Sequence, residues 1–359
     1  MIKRAIMQSG SATIPLVLDD NAQLYKISQK LATMVGCADK TTTIKDNPSV
    51  IVQCLKRLSA EQLSNAEGLI KNTNPITFYP RTGDEYLPQP TIYDLKEGNF
   101  KDVELLIGMN KEEGPFFVTV AAPQYFGTYG VDGVTTVSRR FAHQLIRIMF
   151  GFLGQKNEKD IADFYINTVK NGTSEKYTLA ISAALGDFLI NCADVFQAEF
   201  HSLRNPVYFY VFSRRPSSTP LAEWMDTTHF DELQYVFGNP LFSNFTPEEE
   251  QLSRRMMARW LAFAKTGNPN IPGTLKWPVF KHDDPEYLEI KDEEMIRLRP
   301  DNFRCEFWRD RYQADIDEKV YKKVRRNSVS SRGHQPDSNH FLRISPFLLA
   351  FLWAIISVV

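Results

Sequence analysis

Leu105-Leu106-Ile107-Gly108-Met109-Asn110-Lys111-Glu112-Glu113-Gly114 is the stretch on which the reading of the chain turns. Val103 to Gly108 is, but for Glu104, a short apolar run ending in glycine, the pattern of a buried strand. Acidic residues follow at once, in the loop just past the strand, where open α/β sheets place functional groups. A second run, Val207 to Phe212, follows Pro206 and is rich in Val, Tyr and Phe, so it too reads as a buried strand. Helical stretches with several aromatic residues lie between the two. Strands alternating with long helical connections give the expected fold class, α/β.

Outward from these runs the chain reads as helices. Leu24, Ile27, Leu31 and Met34 recur at helical spacing behind Asp19 and Asp20, and Asn47-Pro48 opens a second helix carrying Ile51, Cys54, Leu55 and Leu58. Thr246-Pro247-Glu248-Glu249 is a capping box with proline at the first helical position. Leu252, Met256, Met257, Trp260, Leu261 and Ala264 are expected to form the apolar face behind it, and Gly267 to end that helix. From Tyr312 onward the composition turns charged and then Ser-rich, which reads as a stalk over 313–333.

Composition narrows the function. The 359 residues are 43% apolar, enough for a large core in one large domain or two smaller ones. Forty-two Lys and Arg against 43 Asp and Glu leave a net charge of −1, which gives no long-range attraction to nucleic acid. The six histidines lack metal-ligand spacing, and there is no glycine-rich phosphate loop and no cysteine pair resembling a zinc ligand set. No metal and no cofactor are expected. Past the second strand, Trp224-Met225-Asp226-Thr227-Thr228-His229-Phe230-Asp231-Glu232-Leu233 sets a histidine in a loop. Acid followed by histidine is the order of the last two members of an α/β-hydrolase triad.

Both ends of the chain speak to its destination. Asn171-Gly172-Thr173 and Asn244-Phe245-Thr246 are glycosylation sequons, with Asn171 and Asn244 as the acceptors. Ile344 to Val359 carries no charge and is slightly short for a spanning helix, which favours a GPI-attachment signal over a transmembrane anchor or a buried C-terminal helix. Ser331 is the preferred attachment site, with Asn327, Ser328 and Ser330 competing, and 334–359 form spacer and tail. Yet Met1 to Gly10 holds no apolar secretory core. The expectation is that residues precede Met1 in the parent protein.

Several segments together resemble the carboxylesterase and cholinesterase family. Lys3 to Ala12 resembles the stretch beyond that family's nucleophile elbow, Leu105 to Gly114 its acid loop, and Trp224 to Gly238 its histidine loop. Trp260-Leu261-Ala262-Phe263-Ala264-Lys265-Thr266-Gly267-Asn268-Pro269-Asn270 and Cys305-Glu306-Phe307-Trp308 resemble two C-terminal signatures. The resemblance covers residues 1 to 312 and implies the C-terminal part of an α/β-hydrolase domain, with an incomplete central sheet. It implies Glu113 as the acid, His229 as the base, and disulfides Cys37–Cys54 and Cys192–Cys305.

The activity so implied is carboxylic ester hydrolysis by a Ser-Glu-His triad, of which these residues hold Glu and His. No Gly-x-Ser-x-Gly and no glycine-rich oxyanion loop occurs in the chain, and Ser9 lies past the elbow by resemblance. The 359 residues alone are therefore expected to lack turnover, to expose a sheet edge and to aggregate. Phe116, Phe117 and Trp224 are candidate pocket residues. Asn74-Pro75-Ile76 and Asp231 stand where a choline enzyme would carry aromatics, which tilts the substrate toward general esters. Expected partners are a small-molecule ester, choline esters included, the outer face of the cell membrane through a GPI anchor, and a second copy in a homodimer. The alternative is a non-catalytic cholinesterase-like adhesion protein of the neuroligin kind.

Overall fold

The computed structural model describes residues 2–15, 21–71, 87–127, 136–300 and 304–330, with the single positions 78, 80, 82, 83 and 130. Among these, five strands form one sheet in the order β1 (Arg4–Gln8), β2 (Glu104–Asn110), β3 (Val207–Phe212), β4 (Glu286–Ile290) and β5 (Met295–Leu298). β1 to β4 are parallel and β5 returns antiparallel to β4. Chain order equals sheet order, and helices make each parallel crossover, because parallel neighbours cannot be joined by a tight turn. The first expected strand starts one residue later and ends two residues later, so Asn110 stays in the ladder opposite Phe212. β1 lies at one edge, and the strand paired with it among the described residues is β2.

Helices α1 (Asn21–Met34), α2 (Pro48–Leu55) and α3 (Ala60–Lys71) precede α4 (Thr91–Glu97), which leads into β2. Ala32, Cys37, Ala38 and Ile51 form a small satellite core there, and the Cys37–Cys54 disulfide joins the end of α1 to α2. Between β2 and β3 run α5 (Gly114–Ala121), α6 (Pro123–Phe126), α7 (Arg139–Phe150), α8 (Gln155–Asn167), α9 (Ser174–Gly186) and α10 (Cys192–Ser202). A π turn at Asp187–Asn191 fuses the last two into one helix, Ser174–Ser202. That helix is long and apolar enough to cross a bilayer, but 78% of its apolar window is buried in protein, which makes it a core helix.

Strand alternation divides the interior. Leu105, Ile107 and Met109 face one core with Val207, Phe209 and Val211, covered by the β2–β3 helices and by α13 (Arg304–Tyr312). Leu106, Tyr208, Tyr210 and Phe212 face the other, under Leu252, Met256, Trp260 and Phe263. Those four side chains belong to α12 (Pro247–Thr266), which follows the short α11 (Leu233–Val236). The capping box of α12 is present on both sides: Thr246 Oγ1 accepts from the Glu249 N–H, and a Glu249 oxygen accepts from the Thr246 N–H.

Two sequence expectations need correction. Leu261 is 54% exposed and Ala264 is also exposed, while Phe263 is buried. At 100° per residue Phe263 falls almost in line with Leu252, whereas Leu261 falls on the opposite side of the helix. The charged segment expected as a stalk also begins as folded structure. Ala314 and Val324 are fully buried, and α14 (Glu318–Ser330) is tied to α4 by a Lys323–Glu97 ion pair. The Cys192–Cys305 disulfide joins α10 to α13. Asp19, Asp20, Asn74-Pro75-Ile76, Ser331 and the C-terminal tail lie outside the described residues.

Candidate active site

β2 ends at Asn110, and the turn Lys111-Glu112-Glu113 delivers the chain into α5. Glu113 is fully buried where that turn closes. Its helix is pressed onto α9, since a Cβ at Gly114 would stand 1.7 Å from the Ser182 carbonyl oxygen. Glycine at 114 is thus a requirement of the close approach, and the approach fixes where Glu113 sits. The loop after β3 comes to meet it. The Glu112 N–H donates to the Thr227 carbonyl at 2.9 Å, and Glu112 and Thr228 form a parallel bridge.

His229 then places Nδ1 2.5 Å from Glu113 Oε2. The other carboxylate oxygen, Oε1, accepts from the Asn110 N–H and from the Ser9 hydroxyl, each at 2.6 Å. Ser9 follows β1 directly with φ +51, and its N–H donates to the Gly108 carbonyl at 2.8 Å. Next to this lies a second buried chain: Asn110 Nδ2 donates to Glu232 at 2.6 Å, Gln8 Nε2 to Glu232 at 3.1 Å, and Trp260 Nε1 to Gln8 at 2.9 Å. β1, β2, α12 and the histidine loop are thereby linked by polar side chains. A carboxylate at Nδ1 sets the ring proton there and leaves Nε2 as the basic nitrogen.

Burial dominates the electrostatics around this pair. It pushes the Glu232 carboxyl above its ordinary range, with Glu113 adding to the effect while Asn110 and Gln8 oppose it. Burial likewise lifts Asp231 to about 7, against the Thr228 N–H that donates to it at 2.8 Å. Asp194 on α10, fully buried, is raised well above the usual carboxylate range by burial and then by Glu113. Glu112 is also raised, again mainly by burial.

Three phenyl rings surround the imidazole. Phe230, Phe117 and Phe116 have ring centroids 3.9, 4.8 and 5.5 Å from that of His229. Phe116 is held to the loop by its N–H, which donates to Thr228 Oγ1 at 3.2 Å. Trp224 donates its indole N–H to the Gly130 carbonyl at 3.0 Å. Both sequon asparagines, Asn171 and Asn244, are exposed. Their threonines serve as helix caps, Thr173 for α9 and Thr246 for α12. Sequence reading missed Ser9 as a partner of Glu113, and with it Asn110, Glu232 and Phe230. For Phe230 a signal was present, since a phenylalanine directly after the candidate base adds a third ring to Phe116 and Phe117.

A mixed sheet flanked by helices, with an acid after one strand and a histidine after the next joined at 2.5 Å, defines the C-terminal side of an α/β-hydrolase. The sequence matches the Carboxylesterase family over residues 1–308, and the chain belongs to that family. It is similar to acetylcholinesterase-1 of Trittame loki, 29% identical over 86% of this chain and 56% of that protein. It is also similar to the cholinesterase of Mus musculus, 29% identical over 86% of this chain and 51% of that protein. The acetylcholinesterase of Bungarus fasciatus is 28% identical over the same share of each. The chain thus spans about half the length of the curated relatives it matches.

Proposed function

We propose that this chain supplies the acid and base of a carboxylic ester hydrolase working through a Ser-Glu-His triad. The observation that carries the reading is the buried Glu113 bonded to His229 Nδ1 at 2.5 Å, with Asn110 and Ser9 holding the other oxygen. In that role His229 Nε2 accepts the serine proton and later delivers it to the leaving alcohol, while Glu113 orients the ring and stabilises the imidazolium. The substrates are small-molecule esters. Asp231, carried where a choline enzyme would have an aromatic residue, supports general carboxylic esters over choline esters.

The test is hydrolysis of p-nitrophenyl acetate. The 359-residue chain alone gives no turnover, because its residues include no Gly-x-Ser-x-Gly. Fused to the nucleophile-bearing portion of a family member, it hydrolyses the ester and loses about 10³-fold or more in kcat on His229→Ala. Turnover by the chain alone that His229→Ala abolishes would overturn the need for an external serine. A folded fusion with no His229-dependent turnover would leave the non-catalytic adhesion protein as the surviving reading.

The same proposal places the protein on the extracellular face of the membrane through a GPI anchor at Ser331. The exposed sequons, the paired cysteines and the apolar tail support it. Expressed on cells behind a secretory signal, the protein is expected to be released by phosphatidylinositol-specific phospholipase C. Retention would instead indicate a spanning anchor.

A further inference from the structure

Phe230 occupies a backbone conformation that its residue type rarely accepts. Its φ is +78, a genuine outlier for a bulky side chain. Such positions persist where the surroundings over-determine them, and they gather at functional sites. The phenyl ring is only partly buried and belongs to neither main core; it stands against His229 at 3.9 Å and edge-to-face with Phe116 at 5.2 Å and 80°. Phe116 and Phe117 meet at 81°, so the rings beside the imidazole form a wall of alternating edges and faces.

We propose that Phe230 is a specificity-determining residue that completes this wall and selects an uncharged aryl or arylmethyl group on the leaving alcohol. The inference rests on the esterase reading above and names the substrate class of the same site. In ester hydrolysis the histidine must reach the leaving oxygen within hydrogen-bonding distance, about 2.6–3.2 Å. The group carried by that oxygen therefore lies beside the imidazole, where the three phenyl rings stand. A flat ring extends the edge-to-face arrangement already present. A cationic alcohol finds the neighbouring carboxylates engaged: Glu113 with His229, Asn110 and Ser9, Glu232 with Asn110 and Gln8, Asp231 with the Thr228 N–H, and Asp226 with Lys111.

Binding can be read without a nucleophile, by saturation-transfer NMR on benzyl alcohol at micromolar concentrations of the full chain, with tetramethylammonium as the competing probe. The unsubstituted chain is expected to bind benzyl alcohol more tightly than tetramethylammonium. Phe230→Gly weakens benzyl alcohol about three- to tenfold, the range one aromatic contact supports. Its thermal midpoint holds or rises, because glycine accepts positive φ without strain. Phe230→Tyr, which keeps the ring, restores binding. Benzyl alcohol affinity unchanged in Phe230→Gly, or tetramethylammonium bound more tightly by the unsubstituted chain, would overturn the proposal. Failure of the esterase reading registers separately, as absence of His229-dependent p-nitrophenyl acetate turnover.

Discussion

Glu113 is held by three residues from three separate stretches of chain, and that division separates what sequence can announce from what it cannot. The pairing of Glu113 with His229 was legible because each follows a recognisable strand and resembles a family loop. Ser9 was not, since its contact with Glu113 depends on β1 lying beside β2 in the register that pairs Gln8 with Gly108. Asn110 and Glu232 were hidden for the same reason, being joined only when the strand end and the histidine loop meet. Asp231 supplies the prediction at this scale. Its carboxyl titrates near 7 when folded, because of burial, against about 4 when unfolded. The folded state therefore binds the proton more tightly, and stability falls as pH rises from about 4 to about 7, then levels. Asp231→Asn keeps an acceptor for the Thr228 N–H and cannot ionise. It should match the parent near pH 4 and exceed it by about 1–3 kcal/mol at pH 8 in urea denaturation. Equal stability of the two proteins at pH 8 would rule this out.

Among the elements, β2, β3 and α12 follow from runs and caps that local sequence spells out. On α12 the apolar Leu261 and Ala264 are exposed, because angular position around the helix, not apolar composition, decides which side chains face the sheet. α14 was unreadable for another reason. Six of its first nine residues are charged, and what holds it to the domain is packing on α4 and the fully buried Val324, which only the fold brings about. The contact between α5 and α9 carries more consequence than either helix alone, since Gly114 and Gly186 allow their backbones to touch: a Cβ at Gly186 would lie 2.7 Å from the Gly114 nitrogen. Gly114→Ala has to push the helices apart and displace Glu113 with them. A loss of about 2–4 kcal/mol in unfolding free energy is expected. It should be accompanied by a change in the NMR signal of His229, and an unchanged denaturation midpoint would show that α9 yields freely.

The whole molecule is closed by a covalent link between distant parts. Cys192 and Cys305 are 113 residues apart and join the long helix to α13. On the chain-entropy account a loop of this length contributes about 4–5 kcal/mol. Cys192→Ser with Cys305→Ser should therefore lower stability by several kcal/mol, to be read from a denaturant midpoint under non-reducing conditions. A shift below about 1 kcal/mol would mean that packing around Trp308 alone holds the two helices together. The pairing itself came from resemblance, because four cysteines admit three connectivities. The long helix they anchor has a further consequence for how such a chain is made. On the secretory route proposed above, a translocon would judge hydrophobicity segment by segment and meet Ser174–Ser202 before the sheet is complete enough to enclose it. Asp187 and Asp194 lie near the middle of that segment, where one aspartate raises the cost of lateral insertion by about 2.5–3.5 kcal/mol. On that route, acids that are awkward to bury in the finished protein would keep the segment from partitioning into lipid and let it pass through the aqueous channel as a helix still waiting for its fold.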